Sequence, residues 1–427
     1  MSEMTAIILA AGRGTRMKSD IPKVLHEILG KTMLDHVIDI VKGAGISDII
    51  VVAGYGIDLL KDSLKGKKAR VVLQKKLLGS GDAVAAAKEA LERYSGDLLV
   101  ICGDTPLIRP QTVKELIAKH ENAGASATVL TANLKDPTGY GRIMRGSDKR
   151  VVKIIEDQEA SLYEKVIEEI NVGTYCFKAN DLFEALNTVR SDNKKNEYFL
   201  TDVIEIMHKS GKTVESVLST DNDEIIGINS RNDLAEATSV LKTRILEDIM
   251  ASGVTVQDPL TTTVYPGVEI GGQTVIYPNT IIESRVTIGA GCHIGPFARI
   301  RSDVTIGDNV EVGNFVELVR TKIGDGTKVK HHTYLGDTTV GKNVNIGAGT
   351  ITANYDGKNK NRTVIEDGAF IGVGSIFVAP VKIGKSATVG AGTVVLKNND
   401  VPKGATVVGV PSHTLRKDTK SKKRRLI

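Results

Sequence analysis

The chain has 427 residues, 41% hydrophobic and 25% charged, with 43 glycines, three cysteines and no tryptophan. That length and balance suit two or three globular domains and exclude a disordered, collagen-like or disulfide-framed chain. The formal charge of +5 is misleading, because residues 416–425 alone carry seven basic residues and one acid, leaving −1 for the rest. A short basic run of this kind reads as a solvated, disordered tail, and without an aromatic platform or reader motif it argues against a nucleic-acid partner. Cys102, Cys176 and Cys292 are far apart and form no C-x-x-C, so no metal or disulfide framework is expected. The first apolar run is too short for a signal peptide or membrane span, and the expected location is cytoplasmic.

In chain order, T-A-I-I-L-A-A-G-R-G-T-R-M comes first, at residues 5–17, followed by Pro22-Lys23. An apolar run of one buried strand's length breaks there into a glycine turn. Such a turn lets backbone N–H groups point at a phosphate, with Arg16 and Lys23 adding charge. The dinucleotide fingerprint fails, since its third glycine would fall on Met17, and no G-x-x-x-x-G-K-[ST] is present. Apolar runs at 49–53 and 98–102 alternate with segments of helical period at 34–42 and 82–94. The alternation predicts a mostly parallel sheet with helices on both faces and ligands beyond the carboxyl ends of its strands. Gln74, ahead of Gly79-Ser80-Gly81, and Asp104, after Gly103, stand at two such ends. An amide suits the imide edge of a uracil, whereas a lone carboxylate is equally a turn residue or a metal ligand.

The ordered set L-A-A-G-R-G-T-R-M, Pro22-Lys23, G-D-T-P-L at 103–107, T-G-Y-G-R-I at 138–143 and N-E-Y-F-L-T-D at 196–202 resembles the sugar-1-phosphate nucleotidylyltransferases. Within them it is most similar to the uridylyltransferase half of the bifunctional N-acetylglucosamine-1-phosphate uridylyltransferase/glucosamine-1-phosphate acetyltransferase family. The resemblance implies that Leu9, Ala10, Ala11 and Gly12 contact the nucleotide, and that Arg16 and Lys23 meet its phosphates. It implies Gln74 and Gly79 at the uracil, Asp104 and Asn229 on Mg²⁺, and Gly139, Glu156 and Asn171 on the N-acetylglucosamine. Gln158 departs from the family, which often has a lysine there.

From residue 232 to 252 the pattern turns helical: Leu234, Ala237, Leu241, Ile245 and Ile249 recur every three or four residues. Asn232 or Asp233 can cap the start, and Gly253 marks the end. Beyond residue 268 the chain repeats in sixes, with aliphatics at Ile288, Ile294, Ile300, Ile306, Val312 and Leu318. That period belongs to a parallel β-helix, and residues 353–363 interrupt it as a loop. The expected architecture is α/β: a Rossmann-like nucleotidylyltransferase domain at 1–228, a linker helix at 229–253, a β-helix at 254–411 and the tail at 412–427. Left-handed winding and a homotrimer are implied by resemblance to hexapeptide-repeat families.

H-H-T-Y-L-G at 331–336, N-I-G-A-G-T-I at 345–351 and N-Y-D-G at 354–357 resemble the acetyltransferase half of the same family. The resemblance makes His331 the general base on the glucosamine amine and Glu317 its orienter. Arg301 and Lys360 would bind the sugar phosphate, Tyr334, Asn345, Asn354 and Tyr355 the substrate, and Ala391 the acetyl-CoA. Val319 stands where the family has a phosphate-binding lysine, Val373 where it has a serine, and Gly409 near a late arginine. Strand alternation predicts that Arg320 faces away from the Val319 position. UTP, N-acetylglucosamine-1-phosphate, glucosamine-1-phosphate and acetyl-CoA are the implied partners. The alternative is a uridylyltransferase whose β-helix is a structural trimerisation module or acts on another acceptor.

Overall fold

The computed structural model describes residues 4–194 and 196–415, so the basic run at 416–425 lies outside it. The chain forms two compact units, Met1–Val240 and Leu241–Ile427.

In the first unit, nine strands form one sheet: β1 (Met4–Ala10), β2 (Asp48–Ala53), β3 (Arg70–Leu73), β4 (Asp97–Cys102), β5 (Ala127–Asn133), β6 (Arg142–Arg145), β7 (Val151–Ile155), β8 (Glu169–Lys178) and β9 (Val214–Ser219). Seven run side by side in the order β9-β5-β8-β4-β1-β2-β3, and β6 and β7 form an arm joined to β8. The opening strand is central and pairs in parallel with β2 and β4. Its residues read as one apolar run because both faces are covered. Ala6, Ile8 and Ala10 pack with α1 (Met33–Gly43) and α3 (Pro110–Ala123), while Ile7 joins the opposite core with α2 (Ser80–Ala86) and α4 (Asp202–Lys209). The helical period at 82–94 resolves into α2 and a separate 3₁₀ turn at Glu89–Leu91.

Helix α5 (Arg231–Ala251) starts one residue earlier than the periodicity predicts. Ser230 stands at its cap: the Ser230 hydroxyl donates to the Asp233 carboxylate, which also accepts from the backbone N–H groups of Asn229 and Ser230. This reciprocal capping box replaces the expected Asn232 or Asp233 cap, because a serine three residues before an acid satisfies more of the free N–H groups. Gly253 follows the helix in the left-handed conformation, φ 92°.

The second unit is a left-handed parallel β-helix whose short strands stack into three parallel sheets. Pairing advances 18 residues in coils such as Ile276↔Ile294 and Ile294↔Val312, then 17 in Val312↔Val329 and Val329↔Ile346, and the inward aliphatics line a single core. The step from Val340 to Ile365 is longer, and the loop at 354–362 absorbs the difference. Among the described residues no helix is long and apolar enough to cross a membrane.

Candidate active sites

In the first unit, a cleft of about 870 Å³ opens at the carboxyl ends of β1, β2 and β3. Leu9, Ala11, Gly12, Gln74 and Gly79 line it, together with Arg13 and Glu197. Ala10 is buried beneath, 3% exposed. Gly12 has open space around its Cα, whereas a Cβ on Gly14 would lie 2.6 Å from Lys23 Cβ. Gly14 also takes φ 59°, so the second glycine seats the lysine as well as shaping the turn. Arg16 is exposed on the turn, outside the cleft lining, and its charge acts on Asp233. Burial alone would raise the Asp233 carboxyl, but hydrogen bonds from Asn229 and Ser230, and Arg16, bring it below the ordinary range.

Lys23, Asp104 and Asn229 meet at one point. The Lys23 ammonium is ion-paired to the Asp104 carboxylate and donates to Asn229 Oδ1 at 2.9 Å. Asp104 comes from the turn after β4, and its carbonyl accepts from Ile228 N at 3.0 Å, which draws in the segment carrying Asn229. The two oxygens already converge on one positive charge. A carboxylate and an amide oxygen are hard donors suited to Mg²⁺, which keeps waters and takes phosphate oxygens for the rest of its shell. Burial, then the Asp104 charge, pushes the neighbouring Cys102 thiol up to about 12.

Gly139 and Glu156 face a small cavity shared with Asp157, Gln158, Glu159 and Phe199. Glu156 accepts from the Thr201 hydroxyl at 2.9 Å. Asn171 donates to Tyr175 Oη at 2.7 Å and accepts from Gly173 N, across an irregular register in β8. Arg142, only 2% exposed, donates to the Tyr140 carbonyl and to Asp157 Oδ1 at 2.9 Å, tying the Gly139 turn to the Glu156 segment. Sequence reasoning missed Arg142 and Thr201, although both lie inside quoted motifs. Nothing local shows that an arginine on a strand is buried.

In the second unit, His331 ends one strand (Lys328–His331) and its Nδ1–H donates to Asn314 Oδ1 at 3.0 Å, one coil away. The expected orienter, Glu317, is paired instead with Arg301 at 2.9 Å. Glu317 starts its strand (Glu317–Val319) on the next sheet, opposite Arg299 and Tyr334 in register, so Arg301 reaches it from the preceding coil. Tyr334 and Asn354 converge over Gly336, where an added Cβ would stand 2.5 Å from Tyr334 Oη and 2.7 Å from Asn354 Nδ2. Asn354 donates to Asp337, which also takes both arms of the Arg320 guanidinium, at 2.6 and 2.9 Å.

The strand carrying Val319 stops there, and Arg320 follows it in the left-handed region at φ 48°, paired with Asp337. Val319 is 3% exposed. Asn345 sits in the sheet opposite Lys328, Tyr355 is exposed and bridged to Lys360 within the looped-out segment, and Ala391 lies exposed on a turn. Val373 is exposed, and Gly409 packs near His413. Tyr334 and Asn354 meet over Gly336, Asn345 stands in the same sheet column as His331, and Ala391 lies outside the strands.

Comparison with known proteins places both units. The MobA-like NTP transferase domain family matches residues 6–202, and the bacterial transferase hexapeptide (six repeats) family matches 285–320 and 362–397. The chain is 46% identical over 415 residues to a bifunctional protein GlmU of Pelotomaculum thermopropionicum, covering 89% of this chain and 90% of that one. It is 44% identical over 416 residues to the one of Shouchella clausii, covering 90% and 91%. With the one of Geobacillus thermodenitrificans it shares 45% identity over 442 aligned positions, or 96% of each chain.

Proposed function

Because this chain belongs to the family of the bifunctional protein GlmU, we propose that it makes UDP-N-acetylglucosamine in two steps, one in each unit. In the first unit, an oxygen of the N-acetylglucosamine-1-phosphate attacks the α-phosphorus of UTP in line, and pyrophosphate leaves. The nucleophile is already an anion, so the work is positioning and charge neutralisation. The meeting of Lys23 with Asp104 and Asn229 carries this reading. Asp104 and Asn229 would hold Mg²⁺, which when bound supplies neutralisation at the phosphates. Lys23 and Arg16 add charge, Gly12 and its neighbours lend backbone N–H groups, and Glu156, Asn171 and Gly139 hold the sugar.

In the β-helix, His331 Nε2 takes a proton from the glucosamine-1-phosphate amine as the nitrogen attacks the acetyl-CoA thioester. The amide bond forms, the carbon–sulfur bond breaks, and coenzyme A leaves as the thiol. The Asn314 contact supports this role, since a proton held on Nδ1 leaves the Nε2 lone pair free. Arg320 shares the Asp337 carboxylate with Asn354 and would supply positive charge in place of the lysine absent at Val319. Exposed Phe297 and Phe315, stacked at 5.2 Å, and His332, 5.0 Å beyond, offer an aromatic column that further copies would cover in a homotrimer. Val319 and exposed Val373 favour the second reading, uridylyl transfer alone with a structural β-helix.

Purified protein with UTP, Mg²⁺ and N-acetylglucosamine-1-phosphate should yield UDP-N-acetylglucosamine and pyrophosphate. Glucosamine-1-phosphate with acetyl-CoA should release free thiol. Failure of the first reaction removes the uridylyl assignment; failure of the second alone leaves a β-helix that is structural or acts on another acceptor.

A further inference from the structure

We infer that Asp82 sets the base preference of the nucleotide cleft, by locking the Gln74 amide so that only its carbonyl oxygen is free for a bound base. The inference rests on reading that cleft as a nucleoside triphosphate site. Gln74 follows β3, lines the cleft and is 4% exposed. Its Nε2 donates to Asp82 Oδ2 at 2.7 Å and to the Gly79 carbonyl at 3.1 Å. An amide nitrogen has two N–H donors, and both are engaged.

The orientation follows from the chemistry of the neighbours. An ionised carboxylate and a backbone carbonyl can only accept, so turning Oε1 toward them would set three electron-rich oxygens together. Gly79 cannot move aside easily: it takes φ 107°, and a Cβ there would lie 2.6 Å from the Tyr198 carbonyl. Asp82 stands in the first turn of α2, where an acid ordinarily only complements the helix dipole. Here its carboxylate reaches Gln74 eight residues away and makes the shorter of the two bonds.

Gln74 therefore presents an acceptor and nothing else. Uracil and thymine carry a ring N–H at their imide edge and match it. Cytosine carries a lone pair at the corresponding ring nitrogen and meets it oxygen to nitrogen, without a proton between. A site built around such a bond rejects the analogue lacking the donor far more strongly than shape alone could. Asp82 touches no substrate in this account; it is a positioning residue for specificity.

The test measures kcat/KM for UTP and for CTP, with Mg²⁺ and N-acetylglucosamine-1-phosphate, in the full-length wild type, D82N and D82A. Calorimetric binding of each nucleotide to the same proteins accompanies the kinetics. Losing a charge-assisted bond should lower the UTP:CTP ratio by about tenfold in both variants, with the Gly79 carbonyl as the residual lock. If both folded variants keep the wild-type ratio, including by losing the two nucleotides equally, Asp82 is merely structural and the inference is overturned. In that event wild-type turnover of UTP leaves the cleft's reading intact. If the wild type neither binds nor turns over UTP, the reading itself fails and takes the inference with it.

Discussion

The ammonium of Lys23 is ion-paired to the carboxylate of Asp104, 81 residues further along the chain. The pair closes the turn after β1 onto the turn after β4, and Asn229 completes it from the segment before α5. A single positive charge therefore already sits where the site is built to hold one.

Replacing Lys23 by Met should lower uridylyl transfer by about a hundredfold, as loss of one preorganised charge does elsewhere. Thiol release from acetyl-CoA should stay at the wild-type rate. Asp104→Ala should also lower stability by about 3 kcal/mol, because it leaves a largely buried ammonium with one neutral partner. Urea denaturation of the three proteins checks the stability difference, and the two assays check the separation of activities.

Arg142 holds both walls of the sugar cavity through the Tyr140 carbonyl and Asp157. Arg142→Lys keeps the charge and loses the planar fork. The KM for N-acetylglucosamine-1-phosphate should rise about tenfold while the KM for UTP is unchanged. An equal rise in both would show that the arginine supports the whole unit rather than the sugar walls.

The Asp202 carboxyl is raised to about 6 by burial first, then by the charges of Glu156, Glu205 and Asp192. In the unfolded chain it titrates near 3.8, so between these values the folded protein binds a proton that the unfolded chain does not. Its contribution to stability is therefore present at acid pH and lost as pH rises through about 6. Asp202→Asn should match the wild-type Tm near pH 4 and exceed it near pH 8. Calorimetric scans at the two pH values decide it, and a variant that is destabilised at both refutes the electrostatic account.

Asn314 accepts from His331 Nδ1 at 3.0 Å and so selects the tautomer with Nε2 free. Asn314→Ala should slow thiol release about tenfold, in line with losing a histidine's hydrogen-bonded support. Asn314→Asp should instead shift the acid limb of the pH–rate profile upward, since a carboxylate favours the imidazolium. Uridylyl transfer should be unaffected by either change. A profile that does not move would remove Asn314 as the residue orienting His331.

Much of the fold was legible because its signals are local. The apolar runs of β1, β2 and β4, the glycine turn after β1 and the hexad aliphatics each announce their element within a few residues. The places of Gln74, Gly79 and Gly12 along the cleft were legible for the same reason, since turns after parallel strands gather at one sheet edge. Partner choice was less accessible. Glu317 next to Arg301, Asn314 next to His331, and Arg320 on Asp337 depend on which residues one coil brings beside the last.

By itself the sequence determined the order of the two architectures and the residue types available for phosphate, amide and imidazole chemistry. These follow from short-range steric and hydrophobic periodicity, which needs no knowledge of distant neighbours. Only the tertiary structure decided that Lys23 rests between Asp104 and Asn229, that Arg142 is buried, and that Gln74 has spent its donors on Asp82 and Gly79. A side chain's free hydrogen-bonding capacity is what remains after its neighbours are satisfied, and those neighbours come from the fold rather than from the adjoining chain.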